Sequence, residues 1–594
     1  MGCDIFVISW DSSPPFMARI PLPEQTFLDS PYPSGVNNKL HGHGGIRLTP
    51  SAAGGQVKEQ VRGADASGSM EKNGPLISPV MELPVRPRRV IARPSTEELR
   101  ALTEQMPNCL KTRHGNVNVQ TRVVARSKAS TFIVTDDSVL HRGHAIISRE
   151  EGERMARLQD DYIRTRDMVV IDGYIGNDKR LRTPARLIIE ASNANIAAMQ
   201  KCLYYPLERG DEAGFEPQVT VIYTPNLKAA DYPNERLIAV DLERRITRVF
   251  NSDYFGESKK GGLRMWNKIV YDRGGLAMHA GCKIIPVDGR DRVALIIGLS
   301  GTGKTTTTFS KQNDSRPVQD DFLAILPDGS IHATENGCFA KTFGLSDETE
   351  PAIYRAVLKP TSYLENVSQN GEEIDFFDTS YTQNGRAVFK MCDIEGAGDA
   401  RSIKKADLLL ILNRNEDVIP AVARLSGAQA AAFFMLGETK GTSAGGAEEA
   451  GRFLRIPGTN PFFPLDHSLQ GNRILEILRA NPMEVFLMNT GRVGGGESDA
   501  RSLKVKIRHS SAIVKGIAEG TITWERDPDF GYEIASRVPG LEGDDARLLR
   551  PRALYEQQGR RDEYVAIVAR LRAERREYMT TFPRLDRDIA ESVS

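Results

Sequence analysis

Apolar residues in this chain fall in short runs, each closed off by charged or turn-forming residues. "STFIVTD", "DMVVIDGYI", "ARLIIEA", "QVTVIYTP" and "RLIAVDL" follow one another between Ser130 and Leu242. They are rich in β-branched residues and too short for helices, so they read as strands. "ISREEGERMARLQDDYI", between the first two, carries apolar residues at helical spacing. Upstream, Ser95 and Glu98 in "STEELRALTEQ" have the spacing of a capping box, which predicts a helix start. A second mixed region opens near Gly275 with "KIIPVDGRDRVALIIGLSGTGKTTTT" and continues through "FLAILPDGSIHA", "AVFKMCDI" and "ADLLLILN". The "PDGS" turn predicts a hairpin. "DEYVAIVARLRAERREYM" predicts an amphipathic helix with its charges on a solvated face. Strands interleaved with helices predict an α/β (mixed α+β) fold.

No such period is visible before about Val90. "SPYPSGVNNKLHGHGGIRLTPSAAGGQ" is dominated by Pro, Gly and Ser, so residues 1–90 read as a disordered extension or as sequence added by a start codon assigned too early, with order beginning near Ser95. "HGHGG" could bind a metal, but a flexible polar tail accounts for it more simply. The ordered remainder divides into 95–274 and 275–583.

Composition narrows the function classes. Lys+Arg and Asp+Glu are each 78, so no global charge draws the chain to nucleic acid or an acidic membrane. "VALIIG" and "ADLLLILN" are far too short to span a bilayer, and "MGCDIFVISWDSSPPF" makes a poor secretion signal. The six cysteines are scattered without a CxxC pair, which suits reduced thiols in a cytoplasmic protein.

The strongest local signal is Gly298–Thr305, which matches G-x-x-x-x-G-K-[ST] between an apolar strand and a helix-capable segment. Glycines let backbone N–H groups close around phosphate oxygens, Lys304 reaches the outer phosphates, and the Thr305 hydroxyl can ligate Mg²⁺. A carboxylate shortly after such a loop, here Asp320 or Asp321, is expected of a Mg·nucleotide enzyme. Tyr254, the adjacent Lys259 and Lys260, and His279, all just upstream, are not. Singly, these are ordinary: solvated lysines, a structural histidine, a turn. Together they suggest a nitrogen/oxygen metal site. His279 supplies a neutral imidazole and Asp321 a carboxylate. Lys260 can ligate only as the free amine, which burial, the metal and the Lys259 charge all favour. That donor set suits Mn²⁺ or another borderline divalent ion.

At this point the residues resemble the ATP-dependent phosphoenolpyruvate carboxykinase family. "YFGESKK", "MHAG", "GLSGTGKTT", "QDDF" and "ENGCFAKT" are similar to that family's signatures, in its order. "ARSKASTFIVTDD" resembles its dicarboxylate-binding arginine segment, although "KAST" stands where the family carries a proline and charged residues. The likeness runs from about Ser95 to Pro583 and continues through "LSDETEPAIYRAVLKPTSYLENV", "EIDFFDTSYTQNGRAVF" and "VARLSGAQAAAFFMLG".

The resemblance implies a two-domain fold: a substrate domain over 95–274, a nucleotide domain over 275–583, and a cleft between them. It also implies roles. Arg126 would hold a substrate carboxylate and Tyr254 would contact the substrate. Lys260, His279 and Asp321 would ligate Mn²⁺, with Lys259 stabilising charge beside them. Gly298, Leu299, Ser300, Gly301, Thr302, Gly303, Lys304, Thr305 and Thr306 would cradle ATP, with Lys304 on the transferred phosphate and Thr305 on Mg²⁺. Arg386 would bridge substrate and γ-phosphate. Lys341 and Glu350 fall where the family contacts the nucleotide, and Lys504 and Ser510 where it surrounds the adenine. The glycine-rich "GETKGTSAGGAEE" is the lid candidate. The guanine-dependent relatives' F-P-S-A-C-G-K-T loop is absent, which favours ATP.

The implied reaction converts oxaloacetate and ATP to phosphoenolpyruvate, ADP and CO₂, a gluconeogenic step involving only small molecules, with no nucleic acid or membrane partner. Mn²⁺, Lys259 and Arg126 would stabilise the enolate left by CO₂, and Lys304, Arg386 and Mg²⁺ the transferred phosphoryl group. Two other readings compete. A small-molecule or protein kinase would need the loop and Asp321, but not Arg126, Lys260 and His279 together. A non-catalytic regulator would bind ATP without turnover. The sequence leaves oligomeric state open.

Overall fold

The computed structural model describes residues 83–299, 301–441 and 451–593. Ordered backbone begins earlier than the sequence pattern suggests. Strand Arg89–Ala92 pairs in parallel with Asp167–Ile175, a partner too distant for any local period to reveal. The helix that follows, Thr96–Glu104, starts as expected: the Ser95 side chain accepts from the Glu98 N–H, and the Glu98 carboxylate accepts from the Ser95 N–H.

The five strand-like runs form most of a mixed eight-stranded sheet. Its order is Arg89–Ala92, Asp167–Ile175, Thr183–Glu190, Val219–Thr224, Ile246–Phe250, Leu237–Asp241, Thr131–Val134, Ile146–Ile147. Helix Gly256–Asp272 lies against this sheet, with Trp266, Leu263 and Val270 buried in the shared core. Its opposite end carries the paired lysines.

A second eight-stranded sheet is built wholly from residues after Gly275. Strands Ala280–Val287 and Arg290–Ile297 form an antiparallel hairpin, and the latter pairs in parallel with Leu408–Asn413. "LLLILN" is buried at every position, which explains its unbroken apolar character. The "PDGS" turn joins the antiparallel strands Leu323–Ile325 and Ile331–Ala333. A five-stranded sheet draws on both sides of Gly275, pairing Val117–Val119 with Tyr363–Glu365.

Helix Arg561–Thr580 forms where its spacing indicates, but its charges are not all solvated. Arg575 is 1% exposed, donating to both carboxylate oxygens of Glu438 at 3.0 and 2.6 Å. The five described cysteines are free thiols. No helix among the described residues is long and apolar enough to cross a membrane.

Candidate active site

The phosphate loop follows the central strand Arg290–Ile297 and leads into helix Lys304–Phe309. Gly303 caps this helix at φ 85°, a left-handed conformation that costs glycine nothing. Gly298 is required for space, because a Cβ there would stand 2.3 Å from the Thr302 hydroxyl oxygen. That hydroxyl donates to the Leu299 carbonyl at 2.8 Å and holds the loop closed on itself. Gly298→Ala is therefore expected to weaken ATP binding at least about tenfold by forcing the loop open, as measured by equilibrium binding of a fluorescent ATP analogue.

Four segments converge beside the loop. The first turn of Gly256–Asp272 carries Lys259 and Lys260. His279 links strands Leu276–Met278 and Ala280–Val287. Lys304 starts the loop helix, and Asp320 and Asp321 follow strand Arg316–Gln319. They meet on one carboxylate. Asp321 Oδ2 lies 2.7 Å from Lys259 Nζ and 2.8 Å from Lys260 Nζ. Its Oδ1 lies 2.9 Å from His279 Nε2 and is also bonded by Lys304 Nζ. Lys259 reaches Glu335 as well, at 2.9 Å.

Burial and charge set different protonation states here. Burial would raise Asp321, but three ammonium groups outweigh it and hold the carboxylate well below its ordinary range. Lys259 would be lowered by burial, yet Asp321 and Glu335 together hold it protonated. Lys260 is pushed down to about 8, chiefly by burial and further by Lys259. Burial and Lys304 push His279 down to about 3, so its ring is neutral near pH 7. Its Nδ1 faces the Thr459 carbonyl at 3.3 Å and its Nε2 faces the ionised Asp321 Oδ1 at 2.9 Å, so both ring nitrogens have an acceptor, and a cation taking the Nε2 side would leave the single ring proton on Nδ1.

These residues fit a divalent cation. Among the described residues no group of three His, Cys, Asp or Glu side chains forms a metal cluster, so a site on His279 and Asp321 draws its further donors from other groups, of which the Lys260 amine is one. Lys260 has its proton loosened, and it shares Asp321 with the neutral His279. A second cation position is suggested by Asp320, 2% exposed, whose Oδ1 has no hydrogen-bond partner. Burial raises that carboxyl to about 6, with the Thr305 hydroxyl as a bonded neighbour.

A cavity of about 350 Å³ joins this cluster to the loop. Arg126, Tyr254, Lys260, His279, Leu299, Gly301, Gly303, Lys304, Thr305, Thr306, Asp321, Lys341, Glu350 and Arg386 all line it. Lys341 and Arg386 are directly paired across neighbouring strands, Gly337–Lys341 and Arg386–Lys390. Burial, then the Arg386 charge, pushes Lys341 down to about 8. Glu350 accepts from the Thr306 hydroxyl at 2.6 Å. Asn384 ties Arg386 to Tyr254, accepting from the guanidinium at 2.8 Å and donating to the phenol at 3.4 Å.

A family profile described as phosphoenolpyruvate carboxykinase matches residues 88–544. The chain belongs to the ATP-dependent phosphoenolpyruvate carboxykinase family. A relative from Cereibacter sphaeroides named phosphoenolpyruvate carboxykinase (ATP) is 30% identical over 458 residues, covering 73% of this chain and 84% of that protein. Proteins of the same name are 29% identical over 491 residues in Alkaliphilus oremlandii, covering 79% and 89%, and 31% identical over 438 residues in Nitrobacter hamburgensis, covering 70% and 79%.

Several carboxykinase-like positions fall outside the cavity. Lys259, Gly298 and Thr302 are buried and do not line it. Lys504 is exposed on the short strand Leu503–Lys504, and Ser510 lies half-buried on helix Ile507–Glu519; neither lines the cavity. Ser300 and most of the glycine-rich lid candidate lie outside the described residues.

The structure also adds residues that motif reading passed over. Phe462 stands 4.4 Å beneath the Lys260 ammonium, and its ring centroid is 5.9 Å from that of His279. Glu335, inside the quoted "ENGCFAKT", is the second anion of Lys259. A lone phenylalanine near a proline carries no sequence signal. Glu335 could have been suspected only by asking what neutralises two adjacent lysines.

Proposed function

We propose that the protein is an ATP-dependent phosphoenolpyruvate carboxykinase, converting oxaloacetate and ATP to phosphoenolpyruvate, ADP and CO₂. One observation carries the reading beyond family membership: Lys260, His279 and Lys304, from three separate segments, meet on the Asp321 carboxylate inside one cavity with the phosphate loop. A kinase acting on a hydroxyl has no use for the amine and imidazole at that carboxylate, so the kinase reading has no comparable support.

ATP and a divalent metal ion are the cofactors. We assign Mn²⁺ to Lys260, His279 and Asp321, and Mg²⁺ to the nucleotide beside Thr305 and Asp320. Bound there, the cations supply electrostatic stabilisation of the negative charge that develops on substrate and phosphate oxygens. The chain's own residues do the rest. Arg126 holds a carboxylate of oxaloacetate at one end of the cavity, and Tyr254 packs beside it. The C–C bond breaks, CO₂ leaves, and the electron pair remains on the enolate of pyruvate. Lys259, kept charged by Asp321 and Glu335, adds positive potential there. The enolate oxygen attacks the γ-phosphorus as ADP departs, while Lys304 and Arg386 spread the charge of the transferred group. Phe462 and Phe339 wall off water, which would otherwise protonate the enolate.

We assign the first eight-stranded sheet to a substrate-binding domain and the second to a nucleotide domain, meeting near Gly275. The direct test is incubation of the purified full chain with oxaloacetate, Mg²⁺, Mn²⁺ and either ATP or GTP. Phosphoenolpyruvate should appear in step with ADP and strictly require oxaloacetate. Steady ATP consumption without oxaloacetate, or a clear preference for GTP, would overturn the assignment.

A further inference from the structure

Lys260 and Arg264 stand one turn apart on the same helix, four residues from each other, yet they open into different spaces. Lys260 lines the cavity described above, whereas Arg264 lines a second one of about 610 Å³. Phe462 divides the two: its ring lies 4.4 Å from the Lys260 ammonium and 5.6 Å from the Arg264 guanidinium, and it lines both spaces. Arg126 also borders both.

The second cavity has a basic lining. Arg126, Lys128, Arg142, Arg264 and Arg455 border it, and among the described residues Asp466 is the carboxylate that lines it with them. That carboxylate is engaged in capping helix His467–Ala480, accepting from the Ser468 N–H at 2.9 Å. Arg455 is answered by Glu438. Two histidines in the wall, His144 and His467, are held neutral by burial. The remaining walls are largely proline and aromatic.

Arg264 is the feature that needs an explanation. Its side chain is 9% exposed, and its Nη1 has no hydrogen-bond partner. That atom is ion-paired over 3.8 Å with Glu257 Oε2, which likewise makes no hydrogen bond. Glu257 directs its other oxygen to the Ser127 N–H at 2.7 Å. A buried guanidinium held by one long ion pair is costly to keep unless a further acceptor reaches it. A planar guanidinium in a roomy, basic and partly apolar cavity fits a bidentate anion on a compact organic body.

We propose that this cavity is a second anion site, distinct from the nucleotide and metal positions, which takes a small molecule bearing two or more carboxylate or phosphate groups, with Arg264 as its buried anchor. Because Arg126 is shared, an anion held there sits beside the proposed oxaloacetate end and couples its own binding to that of substrate. The site itself does not depend on the reaction assigned above, since it is defined by its lining and can be tested without turnover.

The test is calorimetric titration of the full chain with its phosphate loop first filled by Mg·ADP. Citrate probes the carboxylate source and inorganic phosphate the phosphate source. Saturable 1:1 binding of at least one probe is expected, and the tighter of the two identifies the source. Arg264→Gln should weaken it by about tenfold or more and Arg264→Lys by less, with ADP affinity unchanged in both. Should Arg264→Gln fail to fold, Arg142→Ala on the exposed side of the cavity should weaken the same binding about threefold without shifting the melting temperature. No saturable binding of either probe, or binding indifferent to these substitutions, overturns the proposal.

Discussion

Replacing Lys260 by alanine is expected to cut phosphoenolpyruvate formation by about 10²–10³-fold while leaving fold and ATP affinity nearly intact. The loss corresponds to roughly 3–4 kcal/mol of transition-state stabilisation. The fold should survive because Asp321 keeps Lys259 and Lys304 as partners. Removing Lys260 also relieves repulsion among three amines gathered on one carboxylate. Asp321→Asn makes the informative contrast: it removes the anion that all three amines share, so it should lose both activity and thermal stability. Steady-state rates and a melting curve on each variant separate the two cases. Unchanged turnover in Lys260→Ala would remove this residue from the chemistry.

The second large effect is on stability and concerns Glu438. This carboxylate is buried, accepts bidentately from Arg575, and also accepts from Arg455 at 3.2 Å. Burial raises it, but the two guanidinium groups outweigh that and keep it ionised. Glu438→Gln leaves Arg575, 1% exposed, without a counter-charge, and should cost about 3–5 kcal/mol in chemical denaturation. Replacing Glu438 and Arg575 together by methionine should recover much of that loss, because no charge is then left buried alone. The effect should also reach the candidate site, since Glu438 opens strand Glu438–Lys440 and its neighbours Thr439 and Gly441 line the cavity beside the phosphate loop. A Glu438→Gln protein as stable as the parent would show that the ion pair contributes little.

What was legible in the sequence follows from the range of the interactions involved. "DMVVIDGYI" forms strand Asp167–Ile175 residue for residue, since four of its nine residues, Val169, Val170, Ile171 and Ile175, are β-branched and favour a strand over a helix. The capping box at Ser95, the "PDGS" hairpin and the phosphate loop are likewise local, and all three form. The convergence on Asp321 was suspected because its members sit in ordered signatures, not because their spacing requires it. Contacts that depend on distant partners were not legible. Strand Arg89–Ala92 exists only through Asp167–Ile175, and Arg575 reads as a surface charge until Glu438 is brought to it. Lys504 and Ser510 rest on position in the resemblance alone, and neither lines the cavity.

The most direct test of the central claim is Mn²⁺ binding followed by electron paramagnetic resonance on the full chain. Wild type should bind Mn²⁺ at a site lost on His279→Ala and on Lys260→Ala. Its affinity should fall as pH drops through about 8, because a protonated Lys260 has no lone pair to give, whereas His279, at about 3, stays neutral throughout. Mn²⁺ binding that is equally tight in wild type and in both variants, and flat across that pH range, would contradict the account.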